Sequence, residues 1–194
     1  MLFFILLAWA LPTYSLTVLP LISTAISAPP DTITVVPPSR YHLKTCVVGG
    51  GHADKEGLYA SGFHIGAGIN DVTLEGIEVA SIGFLNGTYQ QFDYGTPFPW
   101  GLNMGGADNY AAWEFALVDT GFGSEGFFFN SSGLQWTETE GGFSGWLACD
   151  WWHGAPQLFW KYYFYDYPIP SSCVQVNLMP VAVWEGSEAT DCMV

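Results

Sequence analysis

The sequence predicts an all-β fold, a single disulfide-stapled domain built as an antiparallel β-barrel or sandwich, with a three-lobed, trefoil-like arrangement as a further alternative. Two observations support this prediction. Roughly ten short segments rich in β-branched and aromatic residues alternate with turns that contain glycine or proline, a spacing typical of small antiparallel domains. No window of about ten residues free of glycine and proline repeats its apolar residues with the period of a helix.

The composition indicates one globular domain. The chain has 194 residues, of which 49% are hydrophobic and 11% are charged, so it can bury one substantial core but is short for two. Its 18 acidic and 4 basic residues give a formal net charge of −14. Because such a surface repels polyanions, nucleic acid and anionic membrane surfaces are not expected as partners. The composition indicates no oligomeric state.

The N-terminal segment predicts export. Residues 1–28 contain no side chain that is charged at neutral pH, and an apolar run that ends at Pro12 is followed by a second apolar stretch and small residues. This pattern is typical of a secretory signal peptide cleaved after Ala25 or Ala28. An uncleaved membrane anchor is the alternative, which Pro20 and the absence of flanking basic residues disfavour. We therefore expect a secreted protein, extracellular or in the cell wall, with no membrane attachment after signal cleavage.

Two further features agree with export. The sequons that begin at Asn86 and Asn130 are acceptor sites for N-glycosylation, and each lies in a turn-like setting where a glycan can project. An even number of cysteines is typical of an oxidising compartment. These features predict a disulfide-bonded glycoprotein.

The four cysteines allow three disulfide pairings. We favour Cys149 with Cys173, because both fall at strand-like positions and the bond closes a loop of about 25 residues, a stabilisation of roughly 3 to 4 kcal/mol. Cys46 then pairs with Cys192, which would tie the first strand to the C-terminal tail.

The order of the elements follows from local patterns. Residues 29–39 contain two proline pairs and predict a Pro-rich linker or an edge strand. The β domain is expected over residues 40–183, followed by a polar C-terminal tail over 184–194. The first strand begins at Tyr41, where strict alternation places Tyr41 and Leu43 on one face.

The middle of the chain predicts short strands and one long loop. Strands are expected over 58–65, 72–74, 77–85 and 88–92. The last two flank Asn86-Gly87, a strong hairpin signal. Residues 93–110 are rich in glycine and proline and predict a long surface loop, a feature that is often functional in a compact domain.

The second half of the chain alternates again. A strand over 112–118 is expected to place Trp113, Phe115 and Leu117 inward and Ala112, Glu114 and Ala116 outward. Further strands are expected over 127–129, 134–137, 144–150, 157–165 and 174–183, the first two joined by a hairpin turn at 130–133.

The stretch GGFSGWLACDWWHGAPQLFW over 141–160 combines tryptophans with an acid and a histidine. Asp150 and His153 are candidates for an acid–base pair, and His153 with another histidine is a candidate for a metal site. The structural interpretation is favoured, because a turn residue pattern follows His153 and no second motif fixes a ligand spacing. We therefore predict no metal and no cofactor.

Two other sets of residues are candidates. Glu138 and Glu140 lie two residues apart, a spacing compatible with a glycosidase carboxylate pair but more often the solvated face of a strand. We therefore assign no catalytic residue. Neighbouring aromatic residues on a strand point to opposite faces, so some must be exposed, where they suit stacking on sugar rings or docking on a partner. The ligand-binding candidates are Trp151, Trp152, Tyr163 and Tyr165.

Seven segments carry a resemblance. They are YHLKT (41–45), GLYASGFHIGAGINDV (57–72), GFLNGTYQQFDYG (83–95), FPWGLNMGG (98–106), GFFFNSSGLQW (126–136), GWLACDWWHGAPQLFW (145–160) and PIPSSC (168–173). Together they resemble an uncharacterised family of small secreted proteins of filamentous fungi, over about residues 40–183. More distantly, GWLACDWW with its later cysteine is similar to the C-terminal part of phialide-type fungal cell wall proteins. The resemblance implies an extracellular, β-rich fungal protein and assigns no catalytic residue.

These observations favour a non-enzymatic protein that acts outside the cell by surface contacts with cell-wall polysaccharide or with another extracellular protein. The first alternative is a carbohydrate-binding module that uses exposed tryptophan and tyrosine. The second is a hydrolase that uses Asp150 and His153.

Overall fold

The computed structural model describes residues 34–105, 112–137, 142–162, 167–183 and 192. These residues form strands and two short 3-10 turns (Ala53–Lys55 and Ile77–Val79), and no α-helix occurs among them. The strands are β1 (Tyr41–Val47), β2 (Tyr59–Gly66), β3 (Ile69–Glu75), β4 (Ile82–Asn86), β5 (Tyr89–Asp93), β6 (Trp100–Met104), β7 (Trp113–Thr120), β8 (Phe127–Asn130), β9 (Gly133–Trp136), β10 (Phe143–Asp150), β11 (Pro156–Tyr162) and β12 (Cys173–Ala182). No helix in this part of the chain is long and apolar enough to cross a membrane.

Nine strands close into an antiparallel barrel in the order β1-β4-β5-β6-β7-β3-β11-β10-β12. The β1–β12 pairing closes the ring and runs over seven residue pairs, from Tyr41 opposite Ala182 to Val47 opposite Val176. Closure removes the exposed edges that an open sheet presents. The prediction of an all-β, disulfide-stapled domain is confirmed, and the architecture is a barrel.

Three strands lie outside this ring. Strand β2 forms a hairpin with β3 and pairs with β1 at a single position. Strands β8 and β9 form a second hairpin, which attaches to the ring where Gly133 of β9 pairs in parallel with Leu178 of β12. The indole nitrogen of Trp146 donates to the carbonyl oxygen of Leu134 at 2.7 Å, so a core side chain also joins the hairpin to the barrel.

Two apolar clusters stabilise the barrel. The larger one contains the inward-facing side chains of alternate strand positions, with Trp146 and Trp160 as its largest buried members. The smaller one lies on the opposite face of β10 and β11 and contains Leu147 and Phe159. Alternation along β10 therefore places apolar residues on both faces, and both faces are covered.

Both predicted disulfides are confirmed. Cys149 and Cys173 lie directly opposite each other on β10 and β12, with their Cα atoms 4.0 Å apart. Cys46 on β1 is bonded to Cys192, with a Cα–Cα distance of 5.5 Å. The second bond fixes the C-terminal tail to the strand that closes the barrel.

The predicted faces of β7 are wrong. Ala112, Glu114 and Ala116 are buried, whereas Phe115 is 42% exposed. The interior at this level is occupied by Trp160, which lies opposite Glu114 in the β7–β11 register. Because that indole fills the space, the inward residues of this part of β7 carry no aromatic ring, and Phe115 is turned outward.

Two predicted element boundaries also differ. The predicted loop over 93–110 contains strand β6, which is held by pairing with β5 and β7. The predicted strand over 77–85 begins as a 3-10 turn, and pairing starts only at Ile82. In both places long-range pairing, rather than local propensity, decides the element.

Several predictions fall on other parts of the chain. Residues 34–40 form no strand, although the amide of Val35 donates to the carbonyl oxygen of Phe129 at 2.8 Å. The sequon residues Asn86 and Asn130 each end a strand at a hairpin turn, as predicted. The following lie outside the described residues: the predicted signal peptide (1–28), the first part of the Pro-rich segment (29–33), Glu138, Glu140, Tyr163, Tyr165, and the C-terminal tail except Cys192 (184–191, 193 and 194).

Candidate functional site

The turn between β10 and β11 carries the central aromatic residues of the sequence. The turn consists of the five residues between Asp150 and Pro156. Asp150 and Pro156 pair with each other at the base of the turn. Gly154 adopts a φ of 80°, a left-handed conformation that glycine adopts without a steric penalty. The turn leaves Trp151 and Trp152 exposed, at 51% and 70%, while the side chain of His153 is fully buried.

The buried partner of His153 is Asp71 on β3. The Nε2 atom of His153 lies 2.6 Å from Oδ2 of Asp71, whose side chain is only 9% exposed. A buried carboxylate requires such a partner, because an unpaired one loses its hydration without compensation. The Nδ1 atom of His153 has no hydrogen-bond partner among the described residues. The contact therefore docks the turn on the outer face of β3.

Asp150 has a different partner. Its Oδ1 atom lies 2.9 Å from Nζ of Lys55, which also contacts Oδ2 of Asp54 at 2.7 Å. Burial alone lowers the pKa of Lys55, but the hydrogen bonds to Asp54 and Asp150 outweigh it and raise that pKa above its usual value. Lys55 thus remains a cation that holds the base of the turn.

Four exposed rings lie on the β10–β11 turn and on the strands β2 and β7, and we call them the aromatic face: Phe63, Phe115, Trp151 and Trp152. Two of them contact the buried histidine. The ring centroid of His153 lies 3.7 Å from that of Trp152 and 4.1 Å from that of Phe63. Phe63 and Trp152 meet edge to face at 6.3 Å. Trp151 packs edge to face on Phe159, the residue opposite Phe115 in the β7–β11 register. The rings are therefore fixed by contacts to the barrel.

The contacts of Asp150 and His153 include no hydrogen-bonded nucleophile and base among the described residues. Asp150 and His153 are not hydrogen-bonded to each other, and no described hydroxyl or thiol is hydrogen-bonded to His153. A nucleophile and its base are normally within hydrogen-bond reach of each other. Within the described residues, the candidate metal cluster is Cys46, Glu56 and Cys192. Its two cysteines form a disulfide and so do not offer the thiolates that a metal requires.

Part of this site was predicted from the sequence. Trp151, Trp152 and His153 lie on the turn, and Asp150 lies at its base. Phe63, Asp71 and Lys55 were not predicted, because they come from distant segments. One signal was present: Asp71 lies in the strand INDVTLE beside the aliphatic residues Val72 and Leu74, and an acid within a buried strand requires a partner.

A family model matches the part of the chain that contains all twelve strands. A model of a family described as a domain of unknown function, DUF7907, matches residues 38–182, which include every strand from β1 to β12. A search of curated proteins and a search of solved structures each found no match. Because the family model covers well over half of the chain, the protein belongs to the DUF7907 family, a domain of unknown function.

Proposed function

We propose that the protein is secreted by a fungus and binds a neutral cell-wall or extracellular polysaccharide through the aromatic face, without catalysing a reaction. The observation that carries the proposal is the combination of exposure and fixation at Trp152. Its indole is 70% exposed, yet it packs against His153 and Phe63. A ring that is already ordered loses little conformational entropy when a ligand stacks on it.

Charge and composition support a neutral sugar as the ligand. Exposed aromatic rings provide apolar, planar surfaces that suit the C–H faces of a pyranose ring. The net charge of −14 disfavours an anionic polymer. A neutral polysaccharide satisfies both conditions.

The setting outside the cell is supported by three features. The chain has two disulfides, which persist in oxidising compartments. Its N-terminal sequence predicts a signal peptide. Its two sequons lie at hairpin turns, where Asn86 is exposed and Asn130 is partly buried.

The test is a binding assay with the purified protein on insoluble neutral glucan and chitin, followed by a glycan array. We expect Trp152→Ala to weaken binding at least about tenfold, the equivalent of about 1.4 kcal/mol, and Trp151→Ala to weaken it less, because Trp151 is the less exposed of the two.

Phe122→Ala is the matched control. Phe122 is also well exposed, at 57%, but its ring contacts Tyr89 rather than the aromatic face. Circular dichroism and thermal unfolding of each variant separate lost binding from lost folding. Saturable binding that both tryptophan variants retain would contradict the proposal.

Two alternatives are separated by the same experiments. An extracellular protein partner fits the same rings, and it would leave every polysaccharide unbound. A hydrolase that uses Asp150 and His153 is less well supported, because each of these residues contacts a different partner, Lys55 and Asp71 respectively. It requires turnover of a glycan or an ester that Asp150→Asn abolishes.

A further inference from the structure

The loop between β5 and β6 forms one wall of a surface cavity that lies apart from the aromatic face. A surface cavity of about 330 Å³ is lined by residues of this loop together with Arg40, Phe84 and Phe92. The volume lies at the lower end of the range for small-molecule sites. We propose that this cavity binds a single neutral pyranose unit and is a binding site separate from the aromatic face.

The loop that forms the cavity wall is held by its own hydrogen bonds. Oδ1 of Asp93 accepts from the amide of Gly95 at 2.9 Å. Oγ1 of Thr96 donates to the carbonyl oxygen of Phe98 at 2.8 Å and accepts from the indole nitrogen of Trp100 at 2.9 Å. Pro97 and Pro99 flank Phe98 and restrict its backbone. The wall is therefore formed before a ligand arrives.

The polar part of the cavity is an ion pair between Arg40 and Asp93. The two side chains are 49% and 37% exposed, so both remain accessible to a ligand. The guanidinium offers only donors and the carboxylate only acceptors. Neighbouring hydroxyl groups of a sugar both donate and accept, so a vicinal diol matches this pair.

The charges and the apolar wall narrow the ligand class further. The Arg40–Asp93 pair is electrically neutral as a unit and favours neither an anion nor a cation. Phe98 is 48% exposed, and its ring contacts Trp100 with 5.9 Å between ring centroids, which fixes one apolar surface for stacking. A neutral ring that carries hydroxyl groups on its edge and C–H groups on its face satisfies both parts of the cavity.

This site does not depend on the proposed role of the aromatic face. It is built from residues of β4, β5 and the following loop, with Arg40 next to the start of β1. None of its lining residues belongs to the β10–β11 turn. Two sugar sites on one chain would raise the apparent affinity for a polymer that spans both.

The experiment is a ¹H–¹⁵N NMR titration of the folded protein with methyl β-glucopyranoside, methyl α-mannopyranoside and methyl N-acetyl-β-glucosaminide. We expect the amides of Gly95, Thr96 and Phe98 to shift, with a Kd on the order of 1 to 10 mM for so small a ligand. Phe98→Ala should weaken this binding at least about fivefold, and Asp93→Ala should weaken it as well.

Three controls define the outcome. The amide spectra show whether each variant is folded, and Phe122→Ala should retain the shifts. The shifts should also persist in Trp152→Ala, so the two sites fail independently. The proposal is overturned if no glycoside shifts these amides at about 50 mM, several times the expected Kd, if Phe98→Ala binds as the unchanged protein does, or if choline shifts the same amides and the glycosides do not.

Discussion

At the scale of single residues, contacts between polar side chains fix the turn that carries the aromatic face. His153 is fully buried against Asp71, and Lys55 is buried between Asp54 and Asp150. The two pairs differ in their surroundings, because Asp54 and Asp150 are each 63% exposed whereas Asp71 is enclosed. Removing a partner costs most where the remaining group is inaccessible to water. We therefore expect the Asp71–His153 contact to contribute more to the position of the turn.

A double-mutant cycle tests this contact. We expect Asp71→Ala, His153→Ala and the double variant to give a coupling free energy of about 1.5 to 3 kcal/mol in urea unfolding. The Arg40–Asp93 pair is the matched control, because it is largely exposed and should couple by at most about 1 kcal/mol. Equal coupling in the two cycles would show that burial of Asp71 does not strengthen the contact.

At the scale of elements, the β8–β9 hairpin depends on a close approach to the barrel. Gly133 has a φ of 81° and pairs with Leu178 of β12. A Cβ atom at this position would collide with the carbonyl oxygen of Leu178. The apolar residues Phe127, Phe129 and Leu134 of the hairpin are buried in the main core. The absence of one side chain therefore allows the hairpin to cover that core.

The prediction for this element is that Gly133→Ala destabilises the protein by about 2 to 4 kcal/mol, the sum of left-handed backbone strain and the clash. Gly87→Ala is the control, because Gly87 also has a positive φ, 64°, but no atom lies within 4 Å of its added Cβ. It should cost only about 1 to 2 kcal/mol. Thermal and urea unfolding measure both values, and similar costs would rule out a tight contact at Gly133.

At the scale of the whole molecule, the barrel closes between its first and last strands. The β1–β12 pairing joins segments that are more than one hundred residues apart in the sequence. The Cys46–Cys192 bond joins residues 146 positions apart, and Cys46 belongs to β1, one of these two strands. The Cys149–Cys173 bond joins residues only 24 positions apart. In the chain-entropy account the longer loop restricts the unfolded state more.

Removing the two disulfides separately tests this account. Cys46→Ala with Cys192→Ala should destabilise the protein by up to about 5 kcal/mol, and Cys149→Ala with Cys173→Ala by about 3.5 kcal/mol from loop entropy. The second pair is almost fully buried, so its measured cost includes lost packing as well. Unfolding of each variant in urea gives the values. A Cys46/Cys192 variant as stable as the unchanged protein would refute a role for this bond in securing closure.

The sequence by itself determined the features that depend on neighbouring residues. Local patterns predicted β1, with Tyr41 and Leu43 on one face, and the strands that became β10 and β12, and the turn residues predicted the hairpins at Asn86 and Asn130. Both disulfide pairings were also predicted correctly. The strands and hairpins could be predicted because strand periodicity and turn chemistry are local properties of the chain. The pairings could be predicted because four cysteines allow only three combinations.

The tertiary structure decided what depends on residues far apart. The inward face of β7 is shared with Trp160 on the neighbouring strand β11, and β6 formed because β5 and β7 lie on either side of it. The partner of His153 is 82 residues away, on β3. No local pattern encodes such contacts, because burial and pairing arise only when the ring of strands closes.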